Sequence, residues 1–478
     1  MARYNELIYR RLLENVSKNK GKNALICTGT RVTYEELKEQ IQEIHRELTA
    51  KGSIYNQNIC IHTKRSPRMI AAIFAVIMGG GAFFLMDNEV PEIRKQQYLN
   101  TVKPAYIISD DTIIYNGREQ ERIEDVAYII FTSGSTGLPK GICISFESLY
   151  EAITVIPDAC GLKEEDRILA SSSVAFDPFI LETIISLCRG MTVVLANDSE
   201  YNNPRQILRC ISEYNINIFQ AVPSKLKMVI SCDQNCEKLT SVERYLLGGE
   251  PPSKKEISFL REHTNAYIYN LYGLVEDTIW SSAADITNSD IYDINSVIRG
   301  HEIYLLDDNL NETRVNEIGE IYLGGNGLCV DMLNCLNKEE RIFYLGDKKL
   351  YRTFDLGKRL EGNKIIYIGR NDNQIKINGN RLNPEEVELI VNRLSFIKSS
   401  IVKLFKNERG VELLCLFYTG DYKEDASILI KKYLKEYFPQ YMIPTCYFWM
   451  EEFKYLPSGK INRNAEEFET VYKNRRKE

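Results

Sequence analysis

The strand-like run Val126-Ala127-Tyr128-Ile129-Ile130-Phe131 passes without a break into Thr132-Ser133-Gly134-Ser135-Thr136-Gly137-Leu138-Pro139-Lys140-Gly141. So apolar a run belongs inside a sheet. The glycines after it allow backbone angles at which successive N–H groups face one anion. The hydroxyls of Thr132, Ser133, Ser135 and Thr136 add donors and Lys140 adds positive charge, a combination suited to polyphosphate. The mononucleotide P-loop sets Gly directly before Lys and Ser or Thr directly after it, whereas Lys140 stands between Pro139 and Gly141. A flexible Ser/Gly linker is the plain alternative, but linkers rarely follow a buried strand or carry Pro-Lys-Gly.

Strand-like runs (Ile59–Ile61, Ala105–Ile108, Thr192–Leu195, Ile216–Phe219) alternate with helix-period stretches such as Tyr34–Leu48 and Pro204–Tyr214. That alternation predicts parallel sheets covered by helices. From Ile303 the texture changes to strands joined by short turns, which predicts a small antiparallel or barrel-like unit. A polar stretch at Gly369–Gln374 precedes the helix signal Asn383-Pro384-Glu385-Glu386, so a boundary is placed near Asp372. The expected class is α/β: a large N-terminal domain of several subdomains, residues 1–371, and a smaller α+β domain, residues 372–478. A chain of 478 residues is too long for one ordinary core, which agrees with that division.

Lys plus Arg number 60 against 66 Asp plus Glu, and a net charge of −6 disfavours nucleic acid as the main partner. The apolar segment Met69–Met86 contains Gly79-Gly80-Gly81, so it reads as a buried helix, turn and strand, not a membrane span. No secretory signal is visible, and the 12 cysteines read as buried reduced thiols. Cys232 and Cys236 have no second Cys/His pair at ligand spacing. The expected setting is cytoplasmic, with no membrane partner.

Further segments extend the pattern: Val32-Thr33-Tyr34-Glu35-Glu36-Leu37, Gly80 to Asp87, Phe176-Asp177 and Asn270-Leu271-Tyr272-Gly273-Leu274-Val275-Glu276. After these come Gly319 to Gly325, Tyr351-Arg352-Thr353-Phe354-Asp355-Leu356, Gly369-Arg370 through Arg381, Pro439 to Pro444, and Pro457-Ser458-Gly459-Lys460. With the phosphate loop, this series resembles the adenylate-forming superfamily, especially the amino-acid adenylation domains of nonribosomal peptide synthetases. The resemblance covers nearly the whole chain in the family's motif order.

The resemblance implies ATP and Mg²⁺ as cofactors. Thr132, Ser133, Gly134, Ser135, Thr136, Gly137 and Lys140 would hold the phosphates. Asp355 would accept hydrogen bonds from the ribose hydroxyls, and Tyr367 and Arg370 would lie nearby. Asn270, Leu271, Tyr272 and Gly273 would form the adenine slot, with Tyr272 stacking on the base and Gly249, Glu250 and Pro251 closing the other side. Val275 belongs to the same nucleotide segment and Glu276 would bind magnesium. Lys460 would be the catalytic lysine and Asp372 the hinge, about which the segment of Lys376, Gly379 and Arg381 swings towards the site.

Asp177 implies an amino-acid substrate, because family members acting on α-amino acids hold the ammonium with an Asp there. The family's pocket positions project onto Asp177, Pro178, Leu181, Gln220, Leu246, Gly248, Leu271, Ile279 and Trp280. This lining is apolar apart from Asp177 and the amide of Gln220, and implies a small or medium uncharged side chain. Three departures stand out: Leu274-Val275 replaces Pro-Thr, Phe354 replaces the glycine before the ribose Asp, and Phe179 replaces a small residue. No carrier-protein Leu-Gly-Gly-x-Ser element follows Lys460. The expectation is a ligase that loads a separate phosphopantetheinylated carrier protein. A D-alanine–carrier protein ligase for cell-envelope modification and a degenerate nucleotide-binding homologue remain as alternatives.

Overall fold

A computed structural model describes residues 3–117, 124–133, 138–335, 338–377, 380–407, 411–454 and 461–474. The chain divides into two compact units. One comprises Met1–Asn88, Leu99–Phe131 and Gly141–Asn371; the other comprises Asp372–Glu478 with Glu89–Tyr98 and Thr132–Lys140. The division expected from sequence, residues 1–371 and 372–478, places those two short segments in the larger domain. In the second unit Arg94 donates from Nη1 to Glu386, both buried, which ties Glu89–Tyr98 to the helix Pro384–Val391.

Three sheets build the first unit. An eight-stranded sheet runs Ser282–Asp285, Tyr267–Tyr272, Arg244–Gly248, Ile218–Ala221, Arg167–Ala170, Thr192–Leu195, Asn23–Cys27, Thr30–Thr33, parallel throughout except at its two edge pairs. A seven-stranded sheet centres on Ala82–Leu85 and Asn58–Ile61 and contains Val126–Thr132 and Lys140–Ser145. A five-stranded antiparallel sheet joins His301–Leu306, Ile318–Gly325, Lys348–Arg359, Ile342–Leu345 and Ile365–Arg370. This last is the change of texture expected after Ile303. The strand expected at Ile216–Phe219 starts two residues later, because Ile216 N–H donates to Ile211 O and finishes the preceding helix turn.

Local sequence explains the elements that frame the site. Thr33 caps the helix Tyr34–Ala50 in a reciprocal capping box with Glu36. Ser66 caps Pro67–Met78, whose residues Met69–Ile77 are all buried, and the glycine turn then delivers Ala82–Leu85. Among the described residues no helix is long and apolar enough to cross a membrane. All 12 cysteines are free thiols.

In the second unit Ile375–Ile377 pairs with Asn380–Leu382. The strands Ile397–Lys406, Glu412–Gly420 and Cys446–Trp449 form a separate sheet, packed with the helices Pro384–Val391, Ala426–Lys435 and Glu467–Asn474.

Candidate active site

The parallel sheet presents its carboxyl ends at one edge of the first unit, where α/β proteins place ligands. Strand Tyr267–Tyr272 ends there with Asn270, Leu271 and Tyr272. Strand Lys348–Arg359 brings in Asp355, which is fully buried. Tyr272 Oη donates to Asp355 Oδ2 at 2.9 Å and Arg370 Nη1 donates to Asp355 Oδ1 at 2.5 Å. Arg370 Nη2 also reaches Thr353 O at 3.0 Å. A carboxylate oxygen accepts more than one hydrogen bond, so this clamp is compatible with a ligand hydroxyl at each oxygen. Burial first, then the Asp355 charge, pushes the Tyr272 hydroxyl well above its ordinary pKa.

Other members of the expected adenine slot are anchored to the protein. Asn270 Nδ2 donates to Asp293 O at 2.9 Å. Glu250 accepts from Ser224 N–H at 3.0 Å and Ser224 Oγ at 3.2 Å, at the start of helix Pro223–Ser231, where negative charge is favoured. Gly249 adopts φ +81°, and Tyr367 packs against the core.

Glu276 lies in the short turn Val275–Asp277 and is buried; its Oε1 accepts from Tyr351 Oη at 2.8 Å. Arg341 Nη1 in turn donates to Tyr351 Oη at 3.1 Å. The Glu276 charge contributes to raising the pKa of both Asp177 and Cys329, behind burial as the main cause. A bound cation would join Arg341 in meeting the buried Glu276 charge. Among the described residues no group of three or more His, Cys, Asp or Glu could hold a metal alone. A magnesium ion would therefore use Glu276 and complete its shell from phosphate and water, as Mg²⁺ ordinarily does.

The chain then turns sharply. Thr278 and Ile279 have φ +51° and +75°, left-handed values costly for β-branched residues. The turn is over-determined around them: Asp277 Oδ2 accepts from Ser281 Oγ at 2.5 Å and His301 Nδ1 at 3.0 Å, and Thr278 Oγ1 donates to Gly327 O at 2.5 Å. Gly273 is needed beneath it, because a Cβ there would come within 2.4 Å of Ile279 O. This turn joins the residues expected to bind nucleotide to Ile279 and Trp280, expected to line the substrate pocket.

Asp177 begins a helical segment at Pro178–Ile180 and is buried. Among the described residues its Oδ2 has no hydrogen-bond partner. Burial, with the Glu276 charge behind it, raises its pKa to about 7. The pKa of the Tyr128 hydroxyl, also buried and without a partner among the described residues, is pushed up by burial and further by Asp177. Nothing in the sequence singled out Tyr128, since a Tyr in an apolar strand reads as core.

The pocket amide is committed to the protein. Gln220 Nε2 donates to Pro178 O at 3.0 Å and Glu182 Oε1 at 3.1 Å, while its Oε1 accepts from Trp280 Nε1 at 3.2 Å. The lining therefore presents an apolar wall with no spare amide N–H. The Trp280 indole lies against Gly248, where a Cβ would meet Cη2 at 2.4 Å. Leu181, Leu246, Leu271 and Ile279 are buried in the same apolar cluster as Trp280.

Phe354 keeps the left-handed backbone that favours glycine, φ +62°. Its ring lies under two guanidinium groups, Arg341 at 5.1 Å and Arg352 at 4.5 Å, which hold the unfavourable angle in place. Val275 packs against the core. In the second unit Lys140 and Ser133 are buried, Ser133 Oγ donates to Arg381 O at 3.4 Å, and Asp372 accepts from Gln374 N–H at 3.1 Å. Gly134, Ser135, Thr136, Gly137, Gly379 and Lys460 lie outside the described residues.

This is the architecture of an adenylation domain. The chain is similar in fold to the Vibrio cholerae adenylation domain AlmE in complex with glycyl-adenosine-5′-phosphate, with TM-score 0.85 and 19% identity, covering 97% of this chain and 98% of that one. It is likewise similar to holo-PA1221, a nonribosomal peptide synthetase protein containing adenylation and PCP domains, with TM-score 0.83, 23% identity and coverage of 95% and 83%. The chain belongs to the family described as AMP-binding enzyme, whose model matches residues 12–122 and 116–330. Among curated relatives, a dimodular nonribosomal peptide synthase of Bacillus subtilis is 30% identical over 92% of this chain and 20% of its own length. Tyrocidine synthase 2 of Brevibacillus parabrevis is 29% identical over 95% of this chain and 13% of its own length. The chain thus spans a fifth or less of these two relatives. It is an adenylate-forming domain of the nonribosomal peptide synthetase type, an AMP-forming ligase.

Proposed function

We propose that this domain activates a small amino acid, glycine fitting best, as an aminoacyl adenylate and then transfers it to the phosphopantetheine thiol of a carrier protein. The observation that carries the reading is Asp177, a buried carboxylate whose Oδ2 lacks a partner among the described residues. Burying such a group is costly unless a cation meets it, and the substrate ammonium is that cation. The indole of Trp280 packs directly on Gly248 at the proposed pocket, which is consistent with a small substrate side chain. The relative in fold solved with glycyl-adenosine-5′-phosphate supports the same choice.

In the first step a substrate carboxylate oxygen attacks the α-phosphorus, the bond to the β-phosphate bridging oxygen breaks, and pyrophosphate leaves. Both reactants are anionic, so catalysis is mainly positioning and charge stabilisation. The carboxylate is already ionised and needs no base. Asp355 with Tyr272 and Arg370 holds the ribose; Lys140 and Lys460 stabilise phosphate charge. Magnesium held at Glu276 would supply further neutralisation. In the second step the thiolate sulfur attacks the acyl carbonyl carbon and AMP departs with the bonding pair. The segment after Asp372, the proposed hinge, serves this half-reaction.

Amino-acid-dependent ATP–pyrophosphate exchange tests the reading. Exchange with glycine, weaker with alanine and absent with bulky side chains, is expected. Preference for D-alanine would favour carrier loading for cell-envelope modification. Exchange with aryl or fatty acids alone would overturn the assignment of Asp177.

A further inference from the structure

Glu182 occupies the π-helical turn Leu181–Ile185, directly after the segment that starts at Asp177, and it is completely buried. Such turns are rare and concentrate at functional sites, because the extra residue redirects side chains. Its carboxylate is well satisfied: Oε2 accepts from Ser172 N–H at 2.9 Å, and Oε1 from Ser172 Oγ at 2.6 Å and Gln220 Nε2 at 3.1 Å. The Gln220 amide has one consistent orientation here. Its neighbours on the Nε2 side, Pro178 O and Glu182 Oε1, are acceptors, and its neighbour on the Oε1 side, the indole N–H, can only donate. Three side chains distant in sequence thus form a directional relay from Trp280 through Gln220 to Glu182, beneath the proposed substrate position.

We propose that Glu182 is a positioning residue for substrate selectivity: acting through Gln220, it fixes the Trp280 indole against Gly248 and closes the pocket to side chains larger than hydrogen. The selectivity half of this inference rests on the proposed amino-acid activation; the placement of the indole does not. Without Glu182 the Gln220 amide keeps only Pro178 O as an acceptor, so its orientation is held by one hydrogen bond fewer and its hold on the indole N–H is weakened.

The test compares the whole chain with Glu182→Leu, Glu182→Gln and Gln220→Met, each in a Trp449→Phe background so that Trp280 is the sole tryptophan. Two quantities are read: acrylamide quenching of Trp280 emission, and the ratio of kcat/KM for glycine to that for L-alanine in pyrophosphate exchange. Glu182→Leu and Gln220→Met are expected to raise quenching and to lower the ratio roughly tenfold or more, the scale on which a pocket resolves one methyl group. Glu182→Gln should recover part of both, and KM for ATP should stay within about twofold in all three, since a local change in the pocket leaves the nucleotide contacts alone. Gln220→Met leaves Glu182 bonded to Ser172, so it decides the matter if Glu182→Leu fails to fold. Unchanged quenching and ratio in a folded Gln220→Met protein would overturn the proposal. If the parent protein exchanged with no amino acid, the activation reading would fail, while quenching would still decide whether the relay holds the indole.

Discussion

Tyr272 and Asp355, 83 residues apart, are joined by a buried 2.9 Å hydrogen bond from the phenol to the carboxylate. The bond links the last residue of a parallel strand to the antiparallel sheet, so the carboxylate proposed to hold the ribose is oriented by the protein itself. Hydrogen bonds to charged groups contribute about 1.5–3 kcal/mol. Tyr272→Phe should therefore lower stability by about that amount in denaturant titration. It should also weaken ATP binding in calorimetry, with little change in selectivity among amino acids.

Asp177 yields a prediction about pH. Its pKa of about 7 in the ligand-free protein means that protonation at lower pH removes the charge that an ammonium group needs. KM for the amino acid should rise by up to about tenfold per unit as pH falls below that value and level off above it. In Asp177→Asn, KM should be high and insensitive to pH. The stability effect has the opposite sense. Because the folded pKa is raised, ionised Asp177 destabilises the fold, increasingly between the ordinary carboxylate range and about pH 7. Thermal melts should show Asp177→Asn more stable than the parent at pH 8 and equal to it near pH 4.

Phe354 separates backbone strain from ring packing. Its φ of +62° disfavours any residue with a Cβ, by roughly 1–2 kcal/mol. The contacts to Arg341 and Arg352 offset that cost. Alanine keeps the strain and loses the ring; glycine loses both. Phe354→Ala should thus destabilise by about 1–2 kcal/mol and Phe354→Gly by less, an order that chemical denaturation can read.

Lys460 carries a kinetic prediction. Removing one preorganised positive group from a charge-developing transition state typically costs about 10²–10³ in kcat. Lys460→Ala should lose pyrophosphate exchange by at least that factor and retain ATP binding. Equal exchange in the variant would remove Lys460 from the first half-reaction.

The order of motifs, the strand entering the Thr132–Gly141 loop, and the buried helix with glycine turn at Met69–Met86 were all legible in the sequence. Each depends on neighbours within a few residues, whose chemistry is written consecutively. The family and its α/β class followed from the same local signals. Tertiary structure alone decided that Asp177 Oδ2 is left without a partner among the described residues, that the Gln220 amide is consumed by Glu182 and Trp280, and that Phe354 is held by two arginines. Desolvation and hydrogen-bond saturation depend on groups tens to hundreds of residues apart that meet only when the sheets assemble. Residue type can therefore name a carboxylate or an amide at a given position, and only the fold determines whether it is still available to a ligand.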